Sequence, residues 1–465
     1  MKKRNILLGS ILLIQILIFS YFVSLNGMLI WDEVVYLSNA RDKVSHSYFT
    51  EEFRFPLLST IISIIWMVTG ESILVVQITM IIIALLTTLT FYFVARHFLD
   101  EKLALLATFL LAFSSQYIYW GFRIYTDLLG LLLILLSFLM FLNYKQKNLI
   151  HQNKLIFFAG LFAGLAFVAR LSTIIIAIPI AAFFLLNKNW NNTLKYTIGF
   201  LVALLPWMIE GLIKANNPLN FVSTQTSAIL EYTTREPANI FLSFLINEFG
   251  VSLILIGGII TYFVNFQKNK KRSFKLTETN KKVLLLLLIL ITQLIFYIGF
   301  VKLKLARYII ELTPFIILLI ILGFEGILKI TSKKYKPVII TILIIITLSM
   351  VLPAYQTISD TKEELKCTST GALQQSIQVI KEKTEPGQAI VSSVWPYYGY
   401  YANLKAYSSW NEDIDYYFKK YEPDYFILSN KVGVTFEEEV NHPNLTKIAE
   451  LTDSCGWDLT IYEVN

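Results

Sequence analysis

The chain has 465 residues, of which 55% are hydrophobic and only 16% charged. Soluble domains carry about 25% charged residues, so a water-soluble globular enzyme of this length is excluded. The formal net charge of +7 does not point to nucleic acid as a partner, because most basic residues sit in short loops between apolar runs, where membrane topology places them.

The N-terminal Lys-Lys-Arg precedes roughly twenty apolar residues, longer than the core of a signal peptide and followed by no small-residue cleavage site. This run reads as an uncleaved first span. A bilayer needs about 20 apolar residues per helix, and the runs at 6–25, 72–97, 103–121, 126–144, 155–169, 171–187, 194–213, 241–265, 283–301, 308–329 and 336–353 meet or approach that length. They predict an α-helical polytopic membrane protein of about eleven spans.

The stretch 56–69 is apolar but short. Laid on the membrane surface, with the N-terminus cytoplasmic, it leaves about twice as many lysines and arginines in the cytoplasmic loops as outside. As a span it would send the basic segment FQKNKKRSFKLTETNKK outward. Charge therefore predicts a surface helix, and a C-terminal tail on the extracytoplasmic face of the cell membrane.

Beyond Pro353 the composition turns ordinary, and residues 354–465 read as a small α/β domain. An amphipathic helix (ALQQSIQVIKEK) leads through Pro-Gly into the strand AIVSSV; the helix DIDYYFKKY precedes the strand YFILS, and KIAEL and LTIYEV close the chain. Its two cysteines, Cys367 and Cys455, could pair in an oxidising compartment. The run Trp395-Pro396-Tyr397-Tyr398-Gly399-Tyr400-Tyr401 offers aromatic faces for a sugar ring, although core packing or interfacial anchoring accounts for the same residues.

Polar chemistry gathers outside. Asp32 and Glu33 follow the first span, with Tyr36 one turn on and Arg54 just before the surface helix. Arg123 and Asp127 flank the fourth span, Arg170 sits at the tip of a short hairpin, and Lys302, Lys304, Arg307 and Tyr308 precede the tenth. Ionisable groups at membrane depth are costly and tend to be functional. The bland readings stand beside this: a solvated acid pair, an Arg307–Glu311 pair along one helix, and an Arg170 that only snorkels. Taken together, fixed cations at headgroup level suit a lipid phosphate, and a carboxylate suits activation of a hydroxyl. The acid pair could also hold a divalent cation such as Mg or Mn, but the four scattered histidines provide no metal-ligand spacing.

The order of motifs is informative. D-E-x-x-Y after the first span is followed by R-x-P-L-L opening the surface helix, R-x-x-x-D before the fourth span, G-L-x-x-G-L-A-F-x-x-R, and K-x-x-R-Y with a proline in the tenth span. Over residues 1–353 this resembles the GT-C-fold polyprenyl-phosphate-sugar glycosyltransferases, specifically the dolichyl-phosphate-mannose protein mannosyltransferases and the aminoarabinose transferases.

The resemblance implies transfer of one mannose-like hexose from a polyprenyl-phosphate donor to a protein, glycan or lipid hydroxyl, by an inverting displacement. It implies a catalytic role for Asp32, Glu33 and Asp127, and substrate contacts from Arg170, Lys304 and Arg307. No β-trefoil module fits in the external loop 214–240, and the oligosaccharyltransferase signature W-W-D-Y-G is absent. The competing class is a transporter or flippase of lipid-linked sugars. It would place polar groups at the bilayer midplane within repeated halves, and no repeat is visible here.

Overall fold

The computed structural model describes residues 2–51, 53–144, 149–231, 236–257, 278–369, 371–409, 414–430 and 442–465. The basic segment that set the predicted topology lies largely outside them. Among the described residues, eight helices are long and apolar enough to cross a membrane. These include α1 (Lys2–Ser24), α4 (Ile73–Ala95), α7 (Thr126–Asn143), α8 (Leu149–Ala169) and α10 (Trp190–Ala215).

Three of the eleven expected spans fall short of that length as apolar helices among the described residues. The run 103–121 breaks at Phe113 and Ser114 into α5 (Glu101–Ala112) and α6 (Ser115–Trp120). Each is too short to span at 1.5 Å per residue. The segments Leu171–Leu186 and Val283–Gly299 are shorter apolar helices; the first contains α9 (Ile174–Leu186) and the second ends α13 (Glu278–Gly299).

Helix α2 (Trp31–Val44) follows α1 and carries the acid pair in its first turn. Its start is fixed by Glu33, whose carboxylate accepts the backbone N–H of Ile30 at 2.7 Å, an acid reaching back to an orphan amide of the helix N-terminus. Helix α3 (Pro56–Thr69) has proline in its first turn and stops at Gly70, whose φ of 76° suits glycine. Leu58, Ile62 and Trp66 are buried, while Ile64, Met67 and Val68 are exposed. Pro56–Thr69 is one of the shorter apolar helices among the described residues.

Helices α8 and α10 come into backbone contact because glycine lines their seam. A side chain at Gly160 would run into the Tyr196 carbonyl, one at Gly164 into that of Phe200, and one at Gly199 into that of Phe157. Gly160 and Gly164 are four residues apart, the small-xxx-small spacing that lets membrane helices approach closely. The seam matters for the site because Arg170 directly follows α8.

After α11 (Asn220–Glu231) and α12 (Ala238–Phe249), a 3-10 turn at Ala306–Glu311 enters α14 (Thr313–Ile330), almost wholly buried. Helix α15 (Lys336–Leu348) and a short 3-10 turn then lead into α16 (Leu352–Ser369).

The chain ends in a mixed five-stranded sheet, order β2-β1-β3-β5-β4. Strands β1 (Ala389–Ser392), β2 (Lys405–Ser408) and β3 (Tyr425–Ser429) are parallel, and β5 (Asp458–Val464) runs antiparallel to both β3 and β4 (Leu445–Thr452). Helices α17 (Ala372–Lys383), α18 (Trp395–Tyr401) and α19 (Ile414–Tyr421) complete it. Cys367 at the end of α16 forms a disulfide with Cys455 in the β4–β5 turn.

Replacing Gly164 by leucine forces α8 from α10. A thermal-melting comparison in detergent is expected to show a loss of about 2 kcal/mol or more, and an unchanged melting temperature would contradict the close seam.

Candidate active site

The first turn of α2 places Asp32 and Glu33 in different surroundings. Asp32 is buried, and its two oxygens meet two arginines: Arg54 at 2.7 Å and Arg307 at 2.8 Å. Burial alone would raise the Asp32 carboxyl, but Arg54 and Arg307 outweigh it and hold the group below its ordinary value.

Glu33 faces the other way. Besides Ile30 it accepts the backbone N–H of Ile124 at 2.7 Å, with Arg123 at 3.8 Å. Burial raises its carboxyl. One acid is thus wrapped in guanidinium and the other ties the helix start to the loop before α7. The two carboxylates have separate partners. Among the described residues no group of three or more His, Cys, Asp or Glu could hold a metal.

A second cluster adjoins the first. Arg170 pairs with Asp127, with Glu311 at 2.5 Å, and with Ser172 at 3.0 Å. Glu311 also accepts from Ser172 at 2.6 Å and from Tyr297 at 2.7 Å. Tyr308 joins the two clusters: its ring stacks on Tyr297 at 5.3 Å, with the guanidinium carbons of Arg170 at 5.2 Å and Arg307 at 5.9 Å from its centre. Tyr36 lies nearby, its hydroxyl 3.4 Å from Thr126, the residue before Asp127.

The helical Arg307–Glu311 pair considered from spacing does not form. Each residue instead pairs across the fold, Arg307 with Asp32 and Glu311 with Arg170, and Arg170 does not merely snorkel, since its side chain is only 11% exposed.

Three expected cations stand elsewhere. The Lys304 ammonium is buried and donates to the carbonyls of Tyr297 at 2.7 Å, Ile298 at 3.2 Å and Val301. It caps the end of α13 in the manner of a cation at a helix C-terminus. Arg123 is buried under Tyr119 and pairs with Glu364 of α16 at 2.9 Å, so it ties the tail helix to the membrane part. Lys302 contributes its carbonyl to the Glu236 backbone N–H at 3.1 Å.

The aromatic run 395–401 forms α18 and packs against α2, with Tyr397, Tyr398 and Tyr400 buried. Packing, not an open sugar platform, accounts for these rings. His46 is paired edge-on with Tyr48, 4.6 Å between ring centres.

Sequence reasoning missed Glu51, buried and 3.3 Å from Arg54, and gave Glu311 and Tyr297 no part in the site. An acid entering an otherwise apolar span, as Glu311 does, was the available signal.

Comparison with known proteins bears on the fold and on residues 54–209. Residues 54–209 match the family model described as dolichyl-phosphate-mannose-protein mannosyltransferase. ArnT from Cupriavidus metallidurans bound to undecaprenyl phosphate superposes with a TM-score of 0.67 at 11% identity, covering 97% of each chain, and its apo form gives 0.66 at 12% over 97% of each. The archaeal oligosaccharyltransferase AglB from Archaeoglobus fulgidus, in complex with an inhibitory peptide and a dolichol-phosphate, gives 0.59 at 14%, over 91% of this chain and 69% of its own. No curated protein matches the sequence.

The chain has the fold of ArnT, a multi-span helical membrane part followed by a sheet, and residues 54–209 are similar to the mannosyltransferase family. The Asp32 clamp lies between α2, the loop before α3, and the turn before α14, and Arg54 opens the segment matched by the family model.

Because the arginines lower the Asp32 carboxyl, its ion pairs contribute to stability above about pH 4. That contribution is lost as pH falls through the lower folded-state value. Arg307→Gln is expected to be about 2 kcal/mol less stable than wild type at pH 7. In thermal melting from pH 7 to pH 3 the gap should narrow at the acid end; a gap independent of pH would contradict the clamp.

Proposed function

We propose that the enzyme transfers a single hexose, mannose-like, from a polyprenyl-phosphate carrier to a hydroxyl on a protein, glycan or lipid acceptor, with inversion at the anomeric carbon. The observation that carries this reading is the buried Asp32 carboxylate held by two arginines, one of which still has an unused donor. Arg307 Nε is buried with no hydrogen-bond partner among the described groups, and a phosphate oxygen would satisfy it.

In the reaction the acceptor oxygen attacks C1 of the sugar as Asp32 takes its proton. The C1–O bond to the carrier breaks, and its electron pair leaves on polyprenyl phosphate, whose growing charge Arg307 and Arg54 stabilise. Arg170 is already shared by Asp127 and Glu311, so it serves mainly to hold Tyr308 and the second cluster beside the reacting groups. Glu33 and Arg123 hold α2 in place.

The absence of W-W-D-Y-G from the sequence favours transfer of one sugar over transfer of a whole glycan. A disulfide between Cys367 and Cys455 supports an extracytoplasmic tail, since such bonds persist in oxidising compartments, with the N-terminus cytoplasmic.

The test is a transfer assay in detergent with radiolabelled polyprenyl-phosphate-mannose and polyprenyl-phosphate-glucose, and a membrane extract as acceptor. Asp32→Asn is expected to lower turnover about 10²–10⁴-fold while donor binding persists. Full turnover in that variant would remove Asp32 as the base.

A further inference from the structure

One buried cation near the clamp is answered from the start of the tail. Arg123 is 1% exposed and lies over the Tyr119 ring, its guanidinium carbon 4.3 Å from the centre. Two carboxylates stand near it at unequal distances, Glu364 of α16 at 2.9 Å and Glu33 of α2 at 3.8 Å. The nearer acid is 241 positions away in the chain.

The longer distance leaves Glu33 free for a different task. One of its oxygens accepts the Ile30 backbone N–H and the other the Ile124 N–H, both at 2.7 Å. Those two bonds fix the first turn of α2, which carries Asp32, to the loop that leads to Asp127. A buried charge left without a counter-charge is strongly disfavoured. An Arg123 guanidinium with no other anion to face would therefore close on Glu33 and compete with both amides for the same two oxygens.

Glu364 is itself held in place. The Tyr119 hydroxyl donates to its two oxygens, at 3.1 and 3.3 Å. A side chain at Gly27 would run into the backbone of Leu365, so α16 passes close against the link between α1 and α2 directly after Glu364. Cys367, one turn further along α16, forms the disulfide with Cys455.

We propose that Glu364 is a positioning residue for sugar transfer: its charge draws Arg123 off Glu33, and Glu33 keeps the two backbone amides that aim Asp32 at the acceptor hydroxyl. The inference rests on the reading of Asp32 as the general base. A misplaced base lowers the rate steeply. Donor binding is assigned to Arg54 and Arg307, which pair with Asp32, so a shift at Glu33 acts on turnover.

The experiment measures kcat, donor KM and melting temperature for full-length wild type, Glu364→Gln, Glu33→Gln, the double variant and Tyr119→Phe, with Asp32→Asn beside them. Glutamine keeps the shape of Glu364 and can still accept from Arg123 and Tyr119, so only the charge is lost. Glu364→Gln is expected to lower kcat about tenfold with donor KM unchanged. In the Glu33→Gln background the same substitution should lower kcat no further, because no carboxylate remains there for Arg123 to draw. Tyr119→Phe removes a hydrogen bond to Glu364 but leaves its charge, and should keep kcat.

An unchanged kcat in Glu364→Gln, even with a lowered melting temperature, would overturn the inference, since Glu364 would then serve stability alone. The same loss of kcat with and without the Glu33 carboxylate would also overturn it, as would an equal loss in Tyr119→Phe. If Asp32→Asn abolishes transfer while Glu364→Gln leaves kcat untouched, the positioning role fails and the base stands. If Asp32→Asn keeps full turnover, the base reading fails and the positioning role fails with it.

Discussion

The structure depends on a carboxylate, Asp32, kept charged away from water. A buried ion costs several kcal/mol unless it is paired in good geometry, and here the pairing comes from distant parts of the chain: Arg54 from the loop before α3 and Arg307 from the turn before α14. Satisfying that one charge brings the loop before α3, the start of α2 and the entry to α14 together. The second cluster repeats the principle with Asp127, Arg170 and Glu311, and Tyr308 joins the two through its ring.

Rigidity around the clamp follows from ordinary helix chemistry. Glu33 fixes the start of α2, Lys304 closes the end of α13, and the glycine seam between α8 and α10 sets where Arg170 emerges. The tail is bound to the same region by Arg123 with Glu364 and by the rings of α18 on α2. The Cys367–Cys455 disulfide, closing a separation of 88 residues, holds the end of α16 to the sheet.

Much of this was legible in the sequence, because hydropathy reports membrane helices and a charge in an apolar setting is conspicuous. The acid pair, the four arginines, the tyrosines and the short apolar helix at 56–69 were all visible. Which charge meets which was not: Asp32 and Arg307 are 275 positions apart, and Ser172 and Glu311 are 139 apart, and periodicity carries no information about how helices are set against one another. Lys304 illustrates the difficulty. Its position next to Arg307 reads as a phosphate ligand, yet the nearby end of α13 presents unsatisfied carbonyls that claim it. The break at Phe113 and Ser114 hid inside an apolar run, and β2, only four residues long, was too short to show alternation. Tyr397, Tyr398 and Tyr400 look like a platform in sequence and are core in space, because only the fold decides what an aromatic face lies against.

The central proposal is that the Asp32 clamp binds a donor phosphate, and electron cryomicroscopy of the protein in nanodiscs with a polyprenyl phosphate tests it most directly. The account predicts phosphate oxygens within hydrogen-bond distance of Arg307 and Arg54, with Asp32 released from at least one of its two ion pairs. Phosphate density beside Lys302 or elsewhere on the outer surface, with both arginines still on Asp32, would contradict it.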